Sequence, residues 1–268
     1  MSEGADPPGP PRWGLARGEL AVGLAAAALV PAQLLLGRVR PELPPYLPRQ
    51  FHRLVLHGLG VHVRLHGRPS RAKGVLFVAN HLSWLDVPVL GSRLLGHFVA
   101  KAEVGRMGPV GWFADLQRTI YVDRERRRSA GAQRNAVAER LAAGANVVLF
   151  PEGTTGDGVY VLPFNSSMFA AVDGVDDALV QPVSLAYTRI HGLPITRRRL
   201  SEVVWLGDTG IGEHAVDFIR LGHVTAEIVC HPAVRPADFA DRKALARHCH
   251  AAVADGYAAL MRGGEVSL

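Results

Sequence analysis

The chain has 268 residues, 48% of them hydrophobic, a formal net charge of +6 and a pI near 9.8. This excludes a disordered or fibrous protein and leaves room for one globular domain with a large core plus an appendage. The basic excess points to an anionic partner (membrane surface, nucleic acid or a phosphate-bearing substrate) without choosing among them.

Residues 1–14 are rich in proline and glycine and read as a disordered tail. Residues 20–36, LAVGLAAAALVPAQLLL, carry no charge, are at the short end of a membrane-spanning length, and include Pro31 and Gln33. Three readings compete. A signal peptide would be followed by a mature domain, yet more apolar helix-like sequence follows. A buried core helix suits the weakly apolar alanines. A membrane-anchoring, re-entrant or single-span segment fits best, with Pro31 favouring re-entry or a kinked hairpin.

Residues 38–48, RVRPELPPYLP, read as a linker that cannot stay helical. Residues 51–60 form an apolar helix, resting on lipid or on the domain, and residues 61–66 an alternating strand. His57, His62 and His66 straddle the two. A strand sets His62 and His66 about 13 Å apart, too far to share a metal.

Residues 75–79, VLFVA, are β-branched and aromatic without polar alternation, the pattern of a buried strand. The strand closes on Asn80-His81, and the following segment looks helical until Pro88 interrupts it. Residues 97–101 form a short strand ending on Lys101. Residues 103–115 are a loop or helix broken by Gly105, Gly108, Pro109 and Gly111. A strand at 119–123 leads into Arg124, and residues 125–143 have helix-forming, basic composition. Residues 146–150 form a strand running into PEGTTGDG, 179–187 a strand carrying Pro182, 223–231 a late strand, and 238–262 an alanine-rich helix.

Strands alternating with helices indicate an α/β fold: a mixed, largely parallel sheet flanked by helices, with an N-terminal membrane-associating helical segment. The organisation is a tail (1–14), a membrane-associating segment and linker (15–60) and an α/β domain (61–268).

Three predicted strand ends carry polar groups: His81 with Asp86, Arg124, and Glu152 within FPEGTTG. Strand carboxyl ends line the ligand crevice of open α/β sheets, so these groups can converge there. On one continuous helix a spacing of five puts side chains about 140° apart. His81 must therefore stand at or before the helix start to meet Asp86, one turn inside. Asp86 could then hold one ring nitrogen and leave the other as a base. The competing reading makes His81 a helix cap and Asp86 a solvated acid. In FPEGTT, proline presets the backbone and Gly153 permits close approach of main-chain amides to a ligand.

Cys230 and Cys249 form no Cys-x-x-Cys, which argues against a disulfide framework or zinc site and suits a cytosol-facing protein. His248-Cys249-His250 diverge by about 100° per residue on a helix, so no metal is expected there. Arg126, Arg127, Arg128 and Arg134 read as a solvated basic face or a contact for lipid headgroups or donor phosphates. Arg197-Arg198-Arg199 are read the same way.

The ordered motifs NHLSWLD (80–86), TIYVDR (119–124), FPEGTT (150–155) and QPVSL (181–185) resemble the glycerolipid acyltransferases, which include the 1-acylglycerol-3-phosphate acyltransferases. The resemblance covers about residues 50–235 and implies an N-terminal membrane-associating segment. It also implies that His81 is the catalytic base and Asp86 the acid that orients it. Arg124 is implied to contact an acceptor phosphate, with Glu152, Gly153, Thr154 and Thr155 in a substrate-binding turn. Lys101 is implied to neutralise substrate phosphate or the oxyanion, and Pro182 to shape the donor side.

In the implied reaction His81 takes the proton of an acceptor hydroxyl as that oxygen attacks the thioester of acyl-CoA or acyl-acyl-carrier protein. No cofactor or metal is needed. The nucleophile belongs to the substrate, consistent with the lack of a Gly-x-Ser-x-Gly elbow. The implied place is the cytoplasmic face of the inner membrane.

Two departures stand out. Thr155 occupies a position that is usually arginine in the family's FPEGTR, and Arg118 stands where the second motif usually begins with glycine. The run FPEGTTGDG also resembles the lyso-ornithine lipid acyltransferases, whose acceptor is a hydroxy-fatty-acyl amino acid. Lysophosphatidic acid is placed first as the commoner acceptor, with lyso-ornithine lipid as the alternative. Nucleic-acid binding finds no recognised module or interleaved aromatics. A lipid-binding pseudoenzyme would be expected to lose His81 or Asp86, while a hydrolase using water with the same base stays open.

Overall fold

The computed structural model describes residues 12–39, 45–122, 129–207 and 210–264. Among the described residues eight strands form one sheet: β1 (Val61–Gly67), β2 (Val75–Ala79), β3 (His97–Lys101), β4 (Ile120–Val122), β5 (Val147–Leu149), β6 (Leu179–Ile190), β7 (Leu193–Pro194) and β8 (Val224–Cys230). Their order is β1-β8-β6-β2-β5-β3-β4, with β7 hairpinned onto β6. The β6–β8 and β6–β7 pairs are antiparallel and the others parallel, so the sheet is mixed and largely parallel as the strand–helix alternation predicts.

The seven α-helices described are α1 (Arg12–Val39), α2 (Tyr46–Gly58), α3 (Asp86–Gly91), α4 (Pro109–Leu116), α5 (Ser129–Ala142), α6 (Ile211–Leu221) and α7 (Arg242–Arg262).

The burial of β2 explains its lack of alternation. Val75, Phe77 and Ala79 join one apolar cluster with Leu85 and Val89 around α3, while Leu76 and Val78 join a second with Val137 and Leu141 of α5. A strand covered on both faces has no polar side to show. At its end Asn80, fully buried, donates from Nδ2 to the Leu185 carbonyl (2.9 Å) and accepts from the Leu185 N–H (2.8 Å). The carboxamide thus continues the β2–β6 pairing one step past the strand and fixes where the chain turns out toward His81.

Several boundaries differ from the sequence reading. The helix α1 continues through Pro31, and the predicted 38–48 linker is shorter, because α2 starts at Tyr46 with Pro48 in its first turn. A proline there forfeits only an N–H that has no intrahelical acceptor. The same reason places Pro88 inside α3 without interrupting it. The broken 103–115 segment resolves into a 3₁₀ turn at Ala102–Arg106 followed by α4. The helix α6 is absent from the sequence reading.

The helix α1 packs on α2 and also meets α4 and α6. Gln33 donates from Nε2 to the Leu116 carbonyl (2.7 Å), tying it to the end of α4. Leu20, Leu24, Leu34, Leu35, Leu36 and Val39 are exposed on it. No helix among the described residues is long and apolar enough to cross a membrane.

Candidate active site

The carboxyl ends of β2, β3 and β5 bring His81, Lys101 and the turn after Phe150 to one side of the sheet. His81 stands before the helix and meets Asp86, as the five-residue spacing requires of a pair in contact. Asp86 is the first residue of α3 rather than one turn inside it, and residues 80–85 form a loop that folds back over its carboxylate. His81 donates from Nδ1 to Asp86 Oδ2 at 2.8 Å. The same oxygen accepts from the main-chain N–H groups of Leu82 (2.6 Å) and Ser83 (2.9 Å), and Oδ1 accepts from the Tyr187 hydroxyl (2.7 Å).

Asp86 is 0% exposed, so the alternative of a solvated helix acid does not describe it. Four donors satisfy a buried carboxylate that would otherwise be costly. An ionised acceptor on Nδ1 selects the tautomer with its proton there, leaving Nε2 as the basic nitrogen. Nε2 has no hydrogen bond among the described residues. The His81 ring stacks on Phe150, with centroids 4.0 Å apart and planes 13° from parallel.

Glu152 has a different place from the one the motif suggests. Its Oε1 accepts from the His81 main-chain N–H (2.9 Å) and its Oε2 from that of Leu162 (3.3 Å). Burial pushes its carboxyl up to about 8, outweighing these two donors, and the nearby Asp86 carboxylate adds to the rise. The side chain spans from the histidine loop to residue 162, while Gly153, Thr154 and Thr155 line the cleft. The turn is closed by the Gly153 N–H on the Phe150 carbonyl (3.1 Å), and Gly153 has φ +77°, which glycine adopts without cost.

The cleft holds about 860 Å³ and is mainly apolar. Its walls come from α1 and α2 (Leu29, Phe51), from α4 (Phe113) and from the loops beside His81 (Trp84, Trp205). Lys101 lines it at the end of β3, with Glu103 two residues on. At the α2–α4 boundary His52 Nε2 meets Gln117 Oε1 at 2.8 Å, and burial lowers this imidazole to about 4, so it is neutral there.

Arg124 and Arg126 to Arg128 lie outside the described residues. Pro182 is buried within β6, level with Val78, and is not among the cleft residues. Arg118 has φ +57°, which explains why glycine suits that position in the resembled family. Cys230 and Cys249 are unpaired and buried, and burial raises both thiols to about 12. His66 bonds Glu227 (2.7 Å), and no group of metal-ligating side chains occurs among the described residues. Tyr187 carries no signal in the sequence that marks it as a neighbour of the pair and looks like an ordinary aromatic strand residue, whereas Phe150 opens the FPEGTT motif.

Residues 62–186 match the family model described as acyltransferase. A lyso-ornithine lipid O-acyltransferase of Brucella abortus is 39% identical over 226 residues, covering 82% of this chain and 85% of that protein. The chain belongs to the acyltransferase family. Another relative of this acyltransferase, the lyso-ornithine lipid O-acyltransferase of Rhizobium meliloti, is 37% identical over 84% of the chain and 79% of its own length. A 1-acyl-sn-glycerol-3-phosphate acyltransferase of Neisseria meningitidis is 36% identical over 50% of the chain and 52% of its length. The crystal structure of a 1-acyl-sn-glycerophosphate acyltransferase from Thermotoga maritima superposes with a TM-score of 0.63 over 95% of this chain and 98% of that one, at 22% identity, so the fold is shared.

Proposed function

We propose that this acyltransferase moves a fatty acyl group from a thioester, acyl-CoA or acyl-acyl-carrier protein, to the free hydroxyl of lyso-ornithine lipid. The observation that carries the acceptor is the extent of likeness. Lyso-ornithine enzymes match over four-fifths of the chain, whereas the Neisseria lysophosphatidate enzyme matches over half. This reverses the order of acceptors taken from the motifs alone. Two site features support it. Thr155, neutral, lines the cleft where a phosphate-gripping arginine is usual, and Lys101 and Glu103 bring opposite charges that suit a headgroup carrying both a carboxylate and an ammonium.

In the proposed reaction His81 Nε2 removes the acceptor hydroxyl proton as that oxygen attacks the thioester carbonyl. The carbon–sulfur bond breaks as the tetrahedral oxyanion collapses, and the proton passes from His81 to the leaving thiolate. Asp86 stabilises the imidazolium in between. A base so placed contributes roughly 10²–10⁴-fold to the rate. The apolar cleft accepts the acyl chain, and the exposed leucines of α1 rest in the lipid surface that supplies the acceptor.

The test offers lyso-ornithine lipid and lysophosphatidic acid in parallel, with each labelled donor. Label in ornithine lipid supports the proposal. Label confined to phosphatidic acid restores the phosphate acceptor, and free fatty acid formed without any acceptor makes the protein a hydrolase.

A further inference from the structure

The Asp86 carboxylate is held asymmetrically. Oδ2 collects three donors from its own loop, His81 Nδ1 and the Leu82 and Ser83 N–H groups, while Oδ1 has one partner among the described residues, the Tyr187 hydroxyl at 2.7 Å. Tyr187 arrives from the sheet. Ala79, the last residue of β2, is level with Val183 of β6, and Asn80 clamps Leu185, so Tyr187 lies on the part of β6 that outruns β2 and sits against the loop of residues 80–85.

Its ring is 1% exposed and belongs to the same apolar cluster as Leu85 and Val89. The hydroxyl therefore has no route to water. Burial and the adjoining carboxylate hold the phenol well above its ordinary range, so it stays a donor. Without it, Oδ1 would be a buried acceptor with no partner, free to drive rotation about the Cβ–Cγ bond that carries Oδ2 away from His81.

We infer that Tyr187 is a positioning residue for the transfer reaction: by donating to Oδ1 it fixes the plane of the Asp86 carboxylate and so aims Oδ2 at His81 Nδ1. The inference rests on the reading of His81 as base. A ring that only filled the core would behave the same with or without its hydroxyl, and that difference can be measured.

Tyr187→Phe in the full-length protein removes the hydroxyl and keeps the ring. The expected result is a kcat lower by about tenfold, with KM for donor and acceptor within about twofold of wild type. In an Asp86→Ala background, where there is no side-chain oxygen to aim, adding Tyr187→Phe changes kcat by less than about twofold. Wild-type kcat in the single variant, or the full tenfold loss repeated in the Asp86→Ala background, overturns the inference.

A second measurement needs no turnover. The His81 Nδ1 proton resonance of the unliganded protein is compared with that of protein carrying 3-fluorotyrosine at position 187, a stronger donor in the same space. A shifted resonance supports the inference even if Tyr187→Phe fails to fold, and an unshifted one overturns it. A wild-type protein that acylates no lysolipid defeats the proposed function, while the resonance still decides the part played by Tyr187.

Discussion

Asp86→Asn separates the charge of the carboxylate from its shape. The amide oxygen can occupy the place of Oδ2 and keep the donors from His81, Leu82 and Ser83, while the amide NH₂ faces Tyr187, whose hydroxyl oxygen then accepts. All four contacts survive, so the variant should fold, with a stability loss of about 2–4 kcal/mol as charge-assisted bonds become ordinary ones and the buried Tyr187 O–H loses its acceptor.

What is lost is the anion beside the imidazolium. For charge centres about 4 Å apart at an effective dielectric of about 20, the attraction is about 4 kcal/mol, equivalent to about 10³-fold in kcat. Thiol release with a lysolipid acceptor measures the rate, and thermal unfolding measures the fold. A folded Asp86→Asn protein with kcat within about threefold of wild type would refute the assignment of Asp86 as the partner of the base.

His52 predicts an acid sensitivity unrelated to catalysis. Its folded value of about 4 lies below the ordinary 6.5, so its contribution is complete above pH 6.5 and is lost as pH falls toward 4, by about 3 kcal/mol. Urea unfolding of wild type and His52→Gln across that range should show a steeper loss in wild type, because buried His97, His214 and His231 are lowered too and weaken both proteins as pH falls; equal pH slopes would contradict it. Gly256→Ala places a Cβ 2.4 Å from Ser184 Oγ and 2.7 Å from His231 Cε1, at the buried seam where those side chains bond each other at 2.8 Å. It should destabilise by about 1–3 kcal/mol, and an unchanged melting temperature would mean that α7 shifts freely on the sheet.

How much of this was legible in the chain depended on whether a feature is local. The strand at β2 was readable because burial on both faces leaves an unbroken apolar run, and a five-residue spacing showed where His81 had to stand to meet Asp86 but not that the two meet, which the structure shows. The prolines misled. Pro48 and Pro88 look like helix breakers but occupy first turns, where a missing N–H costs nothing.

Tyr187 could not be read at all, since its meeting with Asp86 depends on the β2–β6 register across 101 positions of sequence. Glu152 was legible as part of the site but not in its contacts. The motif suggested a substrate ligand, whereas both of its oxygens accept main-chain N–H groups, one of them from His81 itself. The helix α6 escaped notice because neither its N-cap residue, Gly210, nor its first turn supplies a side-chain cap.

The central claim is that His81 is the base of a lysolipid acyl transfer, and His81→Ala tests it most directly. The two proteins would be compared for transfer of label from the thioester donor to the lysolipid that wild type acylates, alongside flotation with liposomes. The account predicts that transfer falls by at least about 10²-fold while flotation is unchanged, because the exposed leucines of α1 are untouched. Normal transfer by His81→Ala would contradict it.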